Sequence, residues 1–478
     1  MKPAGVLIIC CLLGLNIKAQ SGMWVWIGGT DSINVDSNNY HYGTQGVPDS
    51  LNYPAGDYEY VYWKDNSNNI WIYGGTEIGY EDMWKFNTHT HIWTWIKGPN
   101  ALRIDSVPPT EYGIKGVPSV TNNPGYRGWG CASWTDANGD LWLFGGGGKD
   151  TLGNFGVMND LWRYNIASNE WTWISGPSLA NDSLGHYGTY QVPDVENIPP
   201  ARSECTATWV YNNHLYLFGG CSAKTEIGAL NDVWSYSVSD NTWSWMSGLD
   251  TLSLFTGNYG MRGVESATNI PPPRAAYTQW TDDCGNYYLW GGTVFTLYQI
   301  NNAVFEMDYS DVWRYNNVTN RWTWMAGDSL ANSWGNSSGY CIRMTQIIPL
   351  SRMENRTPLL LSKTNCLYGF GGDSYAANGA LNDLWTYWPQ TNDWEWLSGT
   401  TIPESLGNYG HKGVLSGTNM PPSRFGHVSW IDQDGNLWVF SGRDGNTVIR
   451  FNDLWEYIPD STCLAFKPVY ISQQGDSA

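Results

Sequence analysis

The chain has 478 residues, of which 30 are tryptophan, 30 are tyrosine and 54 are glycine, and only 14% are charged. Its formal net charge of −19 argues against nucleic-acid and membrane-surface partners, because an acidic surface repels phosphate backbones and anionic lipid. Abundant aromatic residues and glycines favour strands joined by tight turns, and therefore an all-β protein.

The N-terminus has the pattern of a secretory signal peptide. Lys2 precedes an apolar run over residues 6–15, and Ala19 offers a small residue for cleavage. The run is too short to span a membrane, and no later segment is as apolar. We therefore predict a signal peptide at residues 1–20, a secreted, periplasmic or cell-surface location, and no membrane insertion.

A short tag recurs six times after the signal peptide, each time preceded by a glycine pair or, in the last copy, by Ser441-Gly442. Every tag contains an aspartate, an apolar residue and a tryptophan. The tag aspartates are Asp82, Asp160, Asp232, Asp311, Asp383 and Asp453, and the tryptophans stand two positions later. Repetition at a near-constant period indicates stacked units that bury one continuous core.

Each unit is predicted to contain four short strands. In residues 199–248, the runs 203–211, 215–218, 232–236 and 243–245 are predicted strands, and turn residues such as Asn212-Asn213 and Asp240-Asn241 separate them. Four short antiparallel strands per unit form the blade of a β-propeller. The sequence thus predicts one propeller rather than a series of separate domains.

The spacing within the units resembles the Kelch family, in which a glycine pair precedes a tyrosine and a tryptophan follows that tyrosine seven positions later. This step occurs at Tyr164/Trp171, Tyr236/Trp243, Tyr315/Trp322 and Tyr387/Trp394, and Phe86/Trp93 is a conservative version. The resemblance covers residues 22–458. It implies an all-β, six-bladed Kelch-type β-propeller with four antiparallel strands per blade, similar in fold to the central domain of galactose oxidase.

The last unit lacks its final strand, because Leu464 stands where the tryptophan is expected. The missing W-x-W pattern occurs at the other end of the chain, as Trp24-Val25-Trp26. We therefore predict that the N-terminal strand closes the last blade and leaves no unpaired sheet edge there. The predicted divisions are a signal peptide at 1–20, the propeller at 21–458 and a short C-terminal tail at 459–478.

Long inserts between the units carry a second repeated tag, a tyrosine followed by glycine. The tyrosines are Tyr42, Tyr112, Tyr187, Tyr259 and Tyr409, with Gly339-Tyr340 as a divergent sixth copy. All inserts are predicted to lie on one face of the propeller, and loops on a rigid scaffold commonly carry recognition sites. The tyrosines either pin the inserts to the blades or contact a ligand, and the tag aspartates are expected to be buried hydrogen-bond acceptors.

Five arginines begin the innermost strands of their units, and Asp57 takes this place in the first unit. They are Arg127, Arg202, Arg274, Arg352 and Arg424. They either pair with the tag aspartates, which is the interpretation we favour, or form a ring at the channel mouth that clamps carboxylates bidentately. The second role is implied by the resemblance, since arginines at this position of some Kelch domains contact acidic peptides.

Cys205 and Cys221 flank a hairpin turn and are predicted to lie opposite each other, either as a disulfide or as two buried thiols. No two cysteines stand at metal-ligand spacing. A copper site similar to that of galactose oxidase would need histidines and tyrosines together, and no histidine pair has ligand spacing. We therefore predict no metal and no cofactor.

These features favour a secreted, non-catalytic, monomeric binding propeller that recognises a protein or a glycan through its long-loop face. The alternative is a carbohydrate-active enzyme on a Kelch scaffold, similar to sialic-acid epimerases or to galactose oxidase. Glu204 is then the candidate acid–base residue. An enzyme is expected to gather unrepeated His, Glu and Tyr side chains in the central channel, whereas a binding protein is expected to rely on loop aromatics.

Overall fold

The structure is a computed structural model, and every regular element in its described residues is a β-strand. The described residues are 22–31, 40–76, 81–100, 110–180, 184–204, 207–222, 229–251, 257–282, 284–298, 303–337, 339–354, 360–361, 366–446 and 449–461. The predicted signal peptide, most of the predicted tail and Cys205 lie outside them. The described part contains no helix with the length and hydropathy needed to cross a membrane.

Among the described residues, the first half of the chain forms the N-terminal strand, three main antiparallel sheets and one small sheet. The N-terminal strand is β1 (Gly22–Gly28), and the first sheet has the order β2 (Val61–Lys64), β3 (Ile70–Tyr73), β4 (Met83–Asn87), β5 (Ile92–Lys97). The second repeat contains a small sheet of β6 (Arg127–Gly128), β9 (Gly147–Lys149) and β10 (Phe155–Val157). It also contains the second main sheet, formed by β7 (Ala132–Thr135), β8 (Leu141–Phe144), β11 (Leu161–Asn165) and β12 (Glu170–Ser175). The third sheet comprises β13 (Arg202–Ser203), β14 (Ala207–Tyr211), β15 (His214–Ser222), β16 (Ala229–Ser237) and β17 (Thr242–Ser247).

The second half adds three further antiparallel sheets. The fourth sheet comprises β18 (Thr278–Thr281), β19 (Tyr287–Trp290), β22 (Val312–Asn316) and β23 (Arg321–Ala326), and a separate hairpin joins β20 (Thr293–Tyr298) to β21 (Ala303–Asp308). The fifth sheet comprises β24 (Arg343–Met344), β25 (Leu360–Leu361), β26 (Cys366–Ser374), β27 (Gly379–Trp388) and β28 (Asp393–Ser398). The sixth sheet has the order β29 (Val428–Ile431), β30 (Leu437–Phe440), β31 (Leu454–Pro459), β1.

The N-terminal strand is the outermost strand of the sixth sheet. Strand β1 pairs antiparallel with β31, and Trp24 lies opposite Tyr457 while Trp26 lies opposite Trp455. Outer strand β12 of the second sheet has the same register, with Trp171 opposite Tyr164. The two chain ends therefore pair as the W-x-W pattern predicted.

A backbone hydrogen bond from the second residue of each glycine pair joins consecutive sheets. The acceptor is always the carbonyl of the residue that begins the next unit's innermost strand. The bonds are Gly75 to Arg127, Gly146 to Arg202, Gly220 to Arg274, Gly292 to Arg352, Gly372 to Arg424 and Gly442 to Asp57, at 2.9 to 3.2 Å. The last bond runs from the sixth sheet to the first.

The first residue of the pair must be small because it lies against the next sheet. Gly219 has a φ of 61°, and a Cβ there would stand 2.7 Å from the carbonyl oxygen of Arg274. Both the left-handed backbone and the close approach favour glycine. Ser441 is the exception, with a φ of 63°, and its hydroxyl donates to the carbonyl of Asp57.

We expect Gly219→Ala to lower the free energy of unfolding by about 2–5 kcal/mol, since it adds crowding against a backbone carbonyl to the strain of a left-handed alanine. Gly263→Ala is the matched control, because Gly263 also has a positive φ, of 76°, but a Cβ there meets nothing within 4 Å. The free energy of unfolding of this control should fall by only about 1–2 kcal/mol. Denaturant unfolding measures both values, and equal losses would contradict the packing argument.

The hydrophobic core is divided into clusters that lie between neighbouring sheets. Trp63 of the first sheet donates its indole N–H to the carbonyl of Trp142 in the second at 2.7 Å, and Trp134 of the second donates to Tyr216 in the third at 2.7 Å. One cluster of described residues brings β2–β5 side chains such as Phe86 together with Trp430 of the sixth sheet. Burial of the aromatic residues thus holds adjacent sheets face to face.

Of the predicted pair Cys205 and Cys221, Cys205 lies outside the described residues, and Ser203 lies opposite Cys221. The registers of β13 and β14 on β15 differ by one residue, and Glu204, directly after β13, has a φ of 53°. Cys341, for which the sequence suggested no bond, is disulfide-bonded.

Candidate functional site in the central channel

Each tag aspartate accepts hydrogen bonds within a buried polar group. Asp232 accepts from both terminal nitrogens of Arg202 at 2.8 Å, from the Tyr187 hydroxyl at 2.8 Å and from the Trp234 indole at 2.7 Å. Arg202 and Asp232 are fully buried, so their charges are neutralised by this charge-assisted contact. The same four residue types meet around Asp160, Asp311 and Asp453.

Two units lack one member of this group. In the first unit Asp57 replaces the arginine, and Asp82 accepts from Tyr42 at 2.5 Å and Trp84 at 2.7 Å. Burial therefore raises the pKa of Asp82 to about 6, despite the hydrogen bonds that lower it. In the fifth unit Asp383 pairs with Arg352 and Trp385, and Ser337 stands where the other units have the insert tyrosine.

The repeated arginines and insert tyrosines thus contact the buried tag aspartates of their own units. All five guanidinium groups are completely buried against tag aspartates, namely Arg127, Arg202, Arg274, Arg352 and Arg424. The insert tyrosines donate to the same aspartates, namely Tyr42, Tyr112, Tyr187, Tyr259 and Tyr409. An open arginine clamp is absent from the described residues, because each side chain turns into its own sheet.

The long inserts pack along the outer edges of the sheets. Each donates one backbone N–H to the second tryptophan of the outermost strand, at 2.7 to 3.0 Å. The donors are Gly46, Gly116, Gln191, Gly263, Cys341 and Gly413, and the acceptors are Trp95, Trp173, Trp245, Trp324, Trp396 and Trp26. The inserts thereby satisfy strand edges that would otherwise be open to pairing with other chains.

Tyr340 is not the sixth copy of the insert tyrosine. Its hydroxyl donates to the carbonyl of Gly399 at 2.6 Å, as Lys115 Nζ does to Gly176 at 3.0 Å. The position equivalent to Tyr409 is Ser337, three residues earlier. The matching backbone pairs Asn336–Ile348 and Asn408–Met420 establish this alignment.

One residue in each unit, two positions after the arginine or Asp57, belongs to a set that links the units by hydrogen bonds. These residues have φ values of 53° to 62° and donate their N–H groups from unit to unit. The bonds run from Glu59 to Gly426, Gly426 to Glu354, Glu354 to Ala276, Ala276 to Glu204 and Glu204 to Trp129, at 2.6 to 3.0 Å. Trp129 donates instead to the hydroxyl of Thr76 at 2.9 Å.

Three of these residues are glutamates in alternate units, and their side chains converge. One carboxylate oxygen each from Glu59, Glu204 and Glu354 lies within 4.8 Å of the others. Glu59 and Glu354 are only 4% and 5% exposed, and Glu59 accepts a hydrogen bond from Thr76. Three carboxylates this close repel one another unless a proton or a cation is shared between them.

Glu204 is a candidate from the sequence, whereas Glu59 and Glu354 are not. The sequence does carry a signal for these two residues. Glu59 lies two positions after Asp57 and Glu354 two positions after Arg352, as Glu204 does after Arg202. Among the described His, Cys, Asp and Glu residues, these three form the group that approaches closely enough to hold a metal ion. Such an all-oxygen set suits a hard cation, but it supplies only part of the coordination that calcium takes.

A narrow cavity lies beside the glutamates inside the channel. Its volume is about 50 Å³, and Tyr60, Gln279 and His427 line it together with Glu59. This is room for a few water molecules at most. Trp129, the residue of the second unit at the same offset as these glutamates, is 38% exposed.

Part of the chain matches a known family model. Residues 114–330 match the family model described as the KLHDC2/KLHL20/DRC7 Kelch-repeats domain. The chain is also similar to a solved structure described as "Structure of YjhT", with 14% sequence identity and a TM-score of 0.49, over 84% of this chain and 95% of that one. No curated protein matches the chain.

Proposed function

We propose that this Kelch-repeat protein is a secreted, non-catalytic binding propeller that recognises a protein partner at the mouth of its central channel. In this proposal the six sheets are the blades, and β1 closes the ring. The hydrogen bond from Gly442 to Asp57 and the core cluster shared by the sixth and first sheets support closure. The Kelch class itself favours a protein-binding or scaffold role.

The ligand group is a positively charged side chain of the partner. The observation that carries this proposal is the convergence of Glu59, Glu204 and Glu354, which do not recur in the remaining units. An ammonium or guanidinium group placed between them would relieve their mutual repulsion and donate charge-assisted hydrogen bonds to the three carboxylates. The overall charge of −19 would also speed the approach of a basic partner.

In this proposal the site lies on the insert face, but its residues are the glutamates rather than the arginines or the insert tyrosines. The channel glutamates follow the inserts directly in the chain, so both belong to the same face of the sheets. The insert tyrosines donate hydrogen bonds to tag aspartates. The glutamates are therefore the part of this face that differs between units.

The test is binding of a lysine-rich peptide and of the same peptide with its lysines acetylated. We expect the combined variant Glu59→Gln, Glu204→Gln, Glu354→Gln to bind the unmodified peptide at least about tenfold more weakly than the natural protein. The charge-matched control is Asp49→Asn, Glu111→Gln, Glu196→Gln, which neutralises three exposed carboxylates of the inserts. Equal weakening in both variants would show non-specific attraction and contradict the site.

Secretion rests on the signal-peptide pattern of residues 1–20, which lie outside the described residues. We expect the exported protein to begin near residue 21, which N-terminal sequencing of the mature chain would measure. Retention of residues 1–20 in the exported protein would contradict cleavage there.

A carbohydrate-active enzyme on the same scaffold is the second candidate. The same three glutamates favour it, because retaining glycosidases hold two carboxyl groups about 5 Å apart and the channel oxygens lie within 4.8 Å. Turnover of a glycoside that is abolished by Glu204→Gln would establish this function. Peptide binding without any glycoside turnover would favour the binding propeller.

A further inference from the structure

The fifth unit contains a cavity that its symmetry mates fill with a tyrosine. The cavity has a volume of about 500 Å³ and is lined by Trp334, Ser337, Asp383 and Trp385, among others. This volume lies in the range of small-molecule and side-chain binding sites. It is separate from the channel glutamates and lies beneath the fifth insert.

In the neighbouring units this place is occupied by the insert tyrosine. The ring of Tyr409 lies 4.9 Å from that of Trp455, and its hydroxyl donates to Asp453 at 2.6 Å. Tyr259 is placed in the same way, 4.9 Å from Trp313. A buried aspartate, a tryptophan face and a phenol ring thus form one recurring arrangement.

The fifth insert keeps the backbone hydrogen bond of this arrangement but lacks the tyrosine ring. Asn336 donates its N–H to Ile348 at 2.7 Å, as Asn408 does to Met420 at 2.7 Å. The side chain of Ser337 therefore begins where that of Tyr409 begins. Because serine is much smaller, the space of the ring is left open.

The cavity wall contains a hydrogen-bond acceptor for a phenol hydroxyl. Asp383 accepts from Arg352 and from Trp385, while Asp453 accepts in addition from a tyrosine hydroxyl. A carboxylate has about four acceptor sites, so Asp383 has capacity for the same bond. The side chain of Asp383 is 6% exposed, against 1% for that of Asp453.

Two further changes distinguish this unit. Trp334 stands where the sixth unit has Leu406, and it is 73% exposed at the rim of the cavity. Trp396 stacks on Trp385 with ring centroids 6.0 Å apart, and the cavity persists beside this pair. An exposed tryptophan beside an aromatic-sized cavity is the composition of a binding pocket rather than of a packing defect.

We propose that this cavity binds the side chain of a tyrosine residue in a partner polypeptide. The hydroxyl of the incoming tyrosine donates to Asp383, and its ring packs on Trp385 and against Trp334. The partner thereby supplies the ring that the fifth insert lacks. This inference concerns a second site and stands whether or not the channel glutamates bind a cationic group.

The probes are N-acetyltyrosinamide and N-acetylphenylalaninamide, titrated into the mature protein and followed by NMR or calorimetry. We expect the tyrosine probe to bind at least about tenfold more tightly, because the phenylalanine probe cannot donate to the buried carboxylate. Ser337→Tyr should abolish binding, since the protein's own ring then fills the cavity. Equal affinity for the two probes, or no binding of either, would overturn the proposal.

Two further variants keep the test decisive if Ser337→Tyr fails to fold. Tyr409→Ser should open an equivalent cavity in the sixth unit and raise the binding stoichiometry from one to two. Trp334→Leu changes an exposed side chain to that of the sixth unit and should weaken binding without affecting the fold. Unchanged binding in both variants would show that the probe binds outside this cavity and would overturn the proposal. Tighter binding of free p-cresol than of N-acetyltyrosinamide would assign the cavity to a small phenol instead of a polypeptide.

Discussion

Deletion of residues 22–28 is expected to unfold the protein or to drive it into aggregates. The deletion removes the whole outer strand of the sixth sheet and leaves β31 with an open edge. It also removes Trp24, which is fully buried and donates its indole N–H to Ser398 of the fifth sheet at 3.0 Å. Loss of one buried tryptophan side chain costs about 3–5 kcal/mol, and a whole domain is stable by only about 5–15 kcal/mol.

The substitution Trp24→Ala provides a milder form of the same experiment. We expect the variant to fold with a free energy of unfolding lower by about 3–5 kcal/mol. Met23→Ala is the control, because Met23 belongs to the same strand but is 40% exposed. Size-exclusion chromatography and denaturant unfolding measure the effect, and a truncated protein as soluble and stable as the full chain would contradict the role of β1.

The second large effect is expected for Asp232→Asn, which should lower the free energy of unfolding by about 3–5 kcal/mol. The side chain of asparagine has the same shape, but it leaves the guanidinium group of Arg202 buried without its counter-charge. Both groups are completely buried, so water cannot take the place of the carboxylate. Chemical denaturation of the purified variant at pH 7 measures the loss.

Asp82→Asn is the matched control, because Asp82 has the tyrosine and tryptophan partners but no arginine. Burial raises the pKa of Asp82 to about 6. The folded state therefore binds its proton more tightly than the unfolded state, and this group costs stability increasingly as the pH rises from about 4 to 6. We expect the stability of Asp82→Asn relative to the natural protein to rise over that range and to be equal or greater at pH 7. A loss as large as that of Asp232→Asn would contradict the importance of the arginine.

Much of the strand pattern was readable from the sequence, because apolar alternation and turn residues act locally. The predicted Kelch resemblance is confirmed, and in the third unit the run 215–218 lies within β15 and the run 243–245 within β17. The predicted first strand of that unit is instead split at Glu204. Glu204 donates its backbone N–H to Trp129 in the preceding unit, a contact that local patterning does not reveal.

The sequence by itself determined the repeat, because a near-constant period is visible along the chain, and it left the partners of the arginines and insert tyrosines as alternatives. Only the tertiary structure decided where function can lie. The convergence of Glu59, Glu204 and Glu354 requires contacts between units far apart in the chain. The cavity at Ser337 likewise became visible only when the backbone pairing showed which residue occupies the place of Tyr409. Side chains from distant repeats meet through sheet packing, and spacing along one chain does not encode that distance.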